Sequence, residues 1–356
     1  MIQARIHKSF PPGPDWAAFS LEVEFQASAA VTVLFGPSAS GKTLLLEVLA
    51  GFVKPEEGRI LLDDEILFDA ASGVNLPARA RRCGYVFPDY ALFPHMTLRK
   101  NLAFAAEGRP RLERHRKVNE MLERFRLSEC AGRRPHEVSE GDKQRCAIAR
   151  ALIGSPRLLL VDEPAGGLDA PLRAERHVLL RQIRTESQVP MLVVARGLQE
   201  CFELGDEMLV LREGRILQSG APASIVDRPA SVEVASLLGT FNLFPVDILE
   251  LDPQRNFSRV RLWGQDLVGP YFPGKLRGDR VWLCVRPEQL SVAAREGKPG
   301  PNQVPAQLIR AIEMPQAVRL EFAGELTVEL SRAEFDKQKH NKEWLVGFPP
   351  QVLRVL

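Results

Sequence analysis

The chain has 356 residues, 45% of them hydrophobic, and 47 basic against 45 acidic side chains leave a formal charge of +2. Such a length suits two packed globular domains, and the near-neutral balance excludes a nucleic-acid surface held by bulk electrostatics. The opening MIQARIHKSFPP lacks a signal-peptide apolar core, and no apolar run reaches the roughly 18 residues of a membrane span, so the chain is not expected to cross a membrane by itself.

Five cysteines, at 83, 130, 146, 201 and 284, are odd in number and widely spread, with no CxxC pair and no nearby histidine cluster. They point to reduced thiols of a cytoplasmic protein rather than to a zinc site.

From residue 1 to about 239, short apolar runs alternate with helical stretches. VTVLF (31–35), LLLV (158–161) and MLVV (191–194) read as buried strands of a parallel sheet covered by helices on both faces. Helices are expected in TLLLEVLAGF after Gly41, in residues 170–187 after Asp169, and in LQECFEL after Gly197. This is an α/β order with right-handed crossovers. Residues 98–155 read as an inserted helical subdomain. The basic clusters RARRC (79–83) and RPRLERHRK (109–117) are interleaved with apolar residues and read as solvated helix faces.

GPSASGKT (36–43) follows the first of these strands directly and runs into an apolar-periodic helix. It satisfies G-x-x-x-x-G-K-[ST], whose backbone N–H groups and helix N-terminus cradle phosphates. Gly36 and Gly41 allow a tight turn and close approach of an anion, with Pro37, Ser38, Ala39 and Ser40 forming the rest of the cradle. Lys42 would reach the β- and γ-phosphates, and the Thr43 hydroxyl would bind Mg²⁺. A glycine-rich turn with a solvated lysine is the competing reading.

Downstream, LLLV ends in Asp162 and Glu163. A strand leaving the core to meet water explains the pair in one way; a metal and water site explains it in another. In an α/β sheet ligands bind beyond the carboxyl ends of the strands, where the phosphate loop also lies, and this favours the second reading. Asp162 would then hold Mg²⁺, and Glu163 would orient a water. After about Phe241, runs such as VDILELD, SRVRLWG, DRVWLCVR, AVRLEFA and ELTVELS, broken by turn residues, predict a small all-β barrel or sandwich spanning 240–356.

The order of these motifs resembles the ATPase subunit of ABC transporters over nearly the whole chain. GPSASGKT is similar to the family's Walker A, YVFPDYALFPHMT (85–97) to its Q-loop region, and VSEGDKQRCAIARAL (138–152) to its signature helix. LLLVDEP (158–164) resembles Walker B, GLDAPLR (167–173) the D-loop, and VVARGLQE (193–200) the switch-histidine segment. The C-terminal region, with LCVRPEQLSV (283–292), resembles the small OB-like or TOBE-like β-domains of importer ATPases for molybdate, sulfate, iron or polyamines. The fold so implied is a P-loop NTPase domain with a helical subdomain, followed by that β-domain, which would regulate the importer, bind its oxyanion or pair two chains.

The resemblance implies a head-to-tail homodimer, or a heterodimer with another ABC ATPase, sandwiching two Mg-ATP. In such a dimer Ser139 and Gly141 contact the γ-phosphate of the opposite site. Phe10 would stack on adenine, with Trp16 as a second candidate. It further implies separate transmembrane permeases, an indirect solute-binding protein, no nucleic acid, and a peripheral place on the cytoplasmic face of the cell membrane.

The chain departs from the family at linked positions. Pro88 stands where the Q-loop has glutamine, and Arg196 where the switch histidine is expected. Ser139, Glu140, Gly141 and Asp142 replace serine, glycine, glycine, glutamine, Gly166 and Gly167 alter the D-loop, and Ala39 replaces a usual glycine. Carboxylates at 140 and 142 are expected to oppose the phosphates across the dimer by several kcal/mol in order of magnitude. Arg196 would either pair with Glu163 or bond the γ-phosphate in the histidine's place. The resulting expectation is a transport ATPase of slow hydrolysis, for an oxyanion such as molybdate or sulfate. The alternative is a hydrolysis-deficient ATP-binding regulatory subunit paired with a second ATPase.

Overall fold

The computed structural model describes residues 1–14, 17–162, 170–295, 298–339 and 343–356. Contacts divide the chain into two compact units, Met1–Asp227 and Arg228–Leu356. In chain order the first contains β1 (Ile2–Phe10), β2 (Phe19–Ala27), β3 (Val31–Phe35), α1 (Lys42–Ala50), β4 (Glu57–Leu62), β5 (Glu65–Asp69), β6 (Val74–Asn75), β7 (Cys83–Val86), α2 (Leu98–Ala105), α3 (Arg111–Arg124), α4 (Glu140–Ile153), β8 (Leu158–Val161), α5 (Ala170–Ser187), β9 (Met191–Val194), α6 (Leu198–Leu204), β10 (Glu207–Arg212), β11 (Arg215–Gly220) and α7 (Pro222–Asp227).

Six strands form one sheet in the order β11-β10-β3-β9-β8-β7, parallel throughout except for the β10/β11 hairpin. Every residue of β3, β8 and β9 is buried, as the unbroken apolar runs require of central strands covered on both faces. A second sheet, β2-β1-β4-β5-β6, is antiparallel. Its strands alternate, so Leu21, Val23, Phe25 and Ala27 of β2 face the core while the residues between them face out. Helices α2, α3 and α4 occupy the segment expected to be helical.

Helix α1 begins where Gly41 takes φ 100° and ends where Gly51 takes φ 87°, both in the left-handed region. Leu45, Leu46, Val48 and Leu49 are fully buried between the two sheets, each contributing about 1.5–3 kcal/mol. The phosphate loop therefore enters a helix that the core holds rigidly.

One basic cluster differs from expectation. Arg81 of RARRC is 1% exposed, and its guanidinium donates to the carbonyls of Val48 (2.7 Å), Leu49 (3.0 Å) and Leu76 (2.9 Å) and to Asn75 Oδ1 (3.0 Å). It bonds carbonyls of the last turn of α1, Val48 O in addition to that oxygen's bond from Gly51 N–H, and its charge suits that end of the helix dipole.

The second unit holds α8 (Val232–Leu238), β12 (Asn242–Asp252), β13 (Phe257–Leu262), β14 (Gln265–Gly269), β15 (Arg280–Val285), β16 (Ser291–Ala294), β17 (Gln303–Ala306), β18 (Leu308–Glu313), β19 (Val318–Phe322), β20 (Leu326–Leu330), α9 (Arg332–Gln338), β21 (Trp344–Gly347) and β22 (Arg354–Val355). Its three small sheets, β14-β13-β12-β15-β22, β16-β21-β17 and β18-β19-β20, are antiparallel and share a core that includes Phe244, Ile248, Phe322 and Trp344. The boundary, expected after residue 239, instead follows α7, so that α8, which packs on β12, belongs to this unit.

Candidate nucleotide site

The loop from Gly36 to Thr43 joins β3 to α1 at the carboxyl edge of the parallel sheet. A Cβ on Gly36 would collide with the carbonyl oxygen of Leu211 on β10, so this glycine is fixed by the neighbouring strand as well as by the turn. Ala39, at the family's usual glycine, takes φ 61°, a conformation that costs an alanine about 1–2 kcal/mol. Lys42 Nζ donates to the carbonyls of Gly36 (3.0 Å) and Pro37 (2.7 Å) and to Ser40 Oγ (3.3 Å), which curls the loop around the ammonium group.

Asp162, 1% exposed, follows β8, and its N–H donates to Val86 O of β7 at 3.0 Å. Its two carboxylate oxygens each accept a hydroxyl: Oδ1 from Thr43 at 3.1 Å and Oδ2 from Tyr85 at 3.2 Å. Burial, then the Asp162 charge and this hydrogen bond, push the Tyr85 phenol well above its ordinary range, so it remains a donor. Glu47, one turn beyond Thr43 on α1, is raised by burial and then by the Asp162 charge. Thr43 and Asp162 thus present hard oxygen donors side by side, a set that fits Mg²⁺.

A cavity of about 740 Å³ lies between the phosphate loop and the β1–β2 end of the antiparallel sheet. Phe10, Phe19, Lys42, Thr43, Glu47 and Val194 line it. Phe10 and Phe19 are cross-strand partners on β1 and β2, so the predicted aromatic ring stands beside the phosphate loop together with a second ring that sequence reasoning missed. Trp16 lies outside the described residues, as do Glu163, Gly166, Gly167 and Asp169.

Pro88 follows β7 two residues past Val86, whose carbonyl meets Asp162. The chain beyond it is pinned by Arg150 of α4, which donates to Tyr90 O (2.8 Å) and Ala91 O (2.5 Å). Nothing in the local sequence announced this clamp between the Q-loop region and the signature helix.

Ser139 caps α4, and the structure alters the expectation for the carboxylates beside it. Asp142 N donates to Ser139 Oγ (3.1 Å), while Asp142 Oδ2 accepts from Ser139 N (3.2 Å) and Oγ (2.6 Å), a reciprocal capping box. Arg145 pairs with Asp142 at 2.6 Å and also with Glu175 of α5; Glu140 pairs with Lys143 at 2.5 Å. Burial raises the Asp142 pKa, but the bonds from Ser139 and Arg145 outweigh it and hold the carboxyl below its ordinary value. Neither acid projects as an isolated charge, so the repulsion expected across a dimer is partly neutralised within the chain. Gly141 is buried against Leu172 and Glu175 of α5.

Arg196 stands two residues beyond Val194 and, with Arg173, His177, Gln199 and Glu203, lines a cleft of about 460 Å³. Its backbone N–H donates to Glu200 Oε2 at 2.9 Å.

Residues 20–166 match the sequence profile of the family described as ABC transporter. The chain is 36% identical over 293 residues to the Fe(3+) ions import ATP-binding protein FbpC of Pseudomonas fluorescens, covering 82% of this chain and 78% of that one. The chain belongs to the ABC transporter family. This ABC protein is also 36% identical to the sulfate/thiosulfate import ATP-binding protein CysA of Thermosynechococcus vestitus, over 87% of its own length and 85% of the relative's. With the molybdenum import ATP-binding protein ModC of Rhodospirillum rubrum it shares 40% identity over 60% of its length and 57% of the relative's. Among solved structures, it resembles a dimeric post-hydrolysis state of the ATP-binding cassette MJ0796 bound to ADP and Pi. The TM-score is 0.53 at 26% identity, over 62% of this chain and 99% of that one. ABC import ATP-binding proteins are ATPases, and this ABC protein is an ATP-binding subunit of that class. No helix among the described residues is long and apolar enough to cross a membrane.

Proposed function

We propose that the chain is the peripheral, energy-coupling subunit of an importer, placed at the cytoplasmic face of the membrane, binding Mg-ATP and hydrolysing it slowly to drive solute uptake. The observation that carries this reading is the Thr43–Asp162 hydrogen bond, 3.1 Å, beside a phosphate loop that shares its cavity with Phe10. Lys42 and the loop N–H groups bind the phosphates, and Phe10 and Phe19 flank the base. Mg²⁺, held by Thr43 and Asp162, would supply charge neutralisation to the phosphate oxygens. Glu163 orients and deprotonates the attacking water, Arg196 bonds the γ-phosphate from the turn that follows β9, and Ser139 and Gly141 complete the opposite site of a dimer.

The permease partner is supported by a groove of about 490 Å³ between α2 and α3. There Leu112, 84% exposed, is ringed by Arg99, Lys100, Arg111 and Arg114. An apolar anchor with a basic rim suits an acidic, partly apolar cytoplasmic segment of a membrane protein. An oxyanion such as molybdate or sulfate is the favoured solute, because molybdenum and sulfate/thiosulfate importers are among the relatives; iron stands behind it. Uptake of radiolabelled molybdate and sulfate by cells with and without the gene tests this reading. Loss of neither, with loss of iron uptake instead, would reassign the solute.

A further inference from the structure

Behind Arg196 lies a buried ionic cluster that the proposed chemistry does not use. Glu200 on α6 is 7% exposed, and Arg176 and His177 on α5 are 3% and 9% exposed. Glu200 Oε1 pairs with Arg176 Nη2 and lies 3.2 Å from His177 Nε2, while His177 Nδ1 meets Glu203. The other oxygen, Oε2, accepts the N–H of Arg196. Burial raises the Glu200 pKa, but the His177 bond, the Arg176 charge and the Arg196 N–H together bring it below its ordinary value.

Charges are seldom buried this completely unless each is matched. Here the matching fixes a direction. Arg176 and His177 hold one oxygen of Glu200 against α5, so the other is left aimed at the main chain where β9 turns into α6. That turn carries Arg196 and follows Val194 of the nucleotide cavity. A two-turn helix of seven residues would not by itself hold such a turn firmly. The ion cluster does so through α5, whose second turn meets the signature helix α4 through the Arg145–Glu175 pair.

We infer that Glu200, oriented by Arg176 and His177, is a positioning residue for hydrolysis: it fixes the main chain at Arg196 and thereby the line along which the guanidinium approaches the γ-phosphate. This rests on the reading of Arg196 given above. A misplacement of about 1 Å in a catalytic group can cost up to about a hundredfold in rate, whereas ATP affinity is set at Lys42, Thr43 and Phe10 and would not change.

The test is single-turnover hydrolysis by the full-length protein, in Glu200→Gln, Glu200→Ala, Arg196→Ala and the Glu200→Gln/Arg196→Ala double variant, with ATP affinity and melting temperature measured on each. Glu200→Gln keeps an acceptor for the Arg196 N–H but loses the charge, so it remains informative if Glu200→Ala does not fold. The expected result is a fall of about tenfold to a hundredfold in rate for Glu200→Gln, with ATP affinity within about twofold of the parent. The double variant should be no slower than Arg196→Ala alone. A lower melting temperature with an unchanged rate, or rate losses that multiply in the double variant, would overturn the inference while leaving Arg196 in its role. An unchanged rate in Arg196→Ala would overturn that role and the inference with it.

Discussion

Ser139 donates its hydroxyl proton to Asp142 Oδ2 across 2.6 Å and accepts the Asp142 N–H at 3.1 Å. The serine read as a γ-phosphate contact for the opposite site is therefore already satisfied inside its own helix. A carboxylate also sits at the helix N-terminus, where an incoming phosphate would otherwise find a positive dipole end. Replacing the charge by the family's amide, Asp142→Gln, keeps a side chain able to close the capping box. Phosphate release by the purified protein should rise about tenfold, corresponding to about 1.4 kcal/mol of relieved repulsion. An unchanged rate would place the limit at Pro88 or Arg196 instead.

The cis half of the site should behave conventionally. Lys42→Ala removes the ammonium group that the loop encloses, and Asp162→Asn weakens the hard-oxygen pair with Thr43. Equilibrium binding of a fluorescent ATP analogue should fall more than tenfold in Lys42→Ala, a loss of at least about 1.4 kcal/mol. In Asp162→Asn, binding without Mg²⁺ should be little changed, but the gain on adding Mg²⁺ should shrink. Phe10→Ala should lower affinity by about 1–3 kcal/mol, the range of one base–aromatic stack, unless Phe19 alone carries the ring contact.

The Glu200 cluster sets a pH dependence of stability. A carboxyl whose folded pKa lies below its unfolded value stabilises the fold above the unfolded value, near 4.5 here, and loses that contribution as pH falls through the folded pKa. Breaking a buried pair by removing one partner costs about 3–5 kcal/mol at neutral pH. The melting-temperature gap between the parent and Glu200→Gln should therefore be widest near neutrality and narrow as pH falls below about 4.5. A gap independent of pH would mean that packing, not charge, is what Glu200 contributes.

Sequence reading succeeded where one local rule decides the outcome. The runs at β3, β8 and β9 are apolar throughout because both faces are covered. GPSASGKT needs left-handed backbone at its turn, and Gly41 supplies it. Reading failed where the partner is distant in sequence. The antiparallel sheet that brings Phe19 beside Phe10 depends on cross-strand pairing, and Arg81 of a basic cluster is buried because the end of α1 needs donors from more than thirty residues away. Asp142 was legible as a charge near a phosphate site, but not as a charge spent on Ser139 and Arg145. That distinction needs side-chain geometry.

The basic-rimmed groove on the helical region predicts a separable defect. Leu112→Glu should leave ATP binding within about twofold, since Leu112 is 84% exposed and exposed substitutions rarely shift stability by more than about 0.5 kcal/mol. The same change should abolish co-purification with the permeases and solute uptake. Retained co-purification would move the docking surface elsewhere.

Steady-state phosphate release by the purified chain at saturating Mg-ATP tests the central claim most directly. An intact cis site joined to altered γ-phosphate contacts predicts release that vanishes in Lys42→Ala and runs at least tenfold below the roughly 10 s⁻¹ typical of enzymes. Release indifferent to Lys42→Ala, or release near 10 s⁻¹ that Glu163→Gln abolishes, would contradict it.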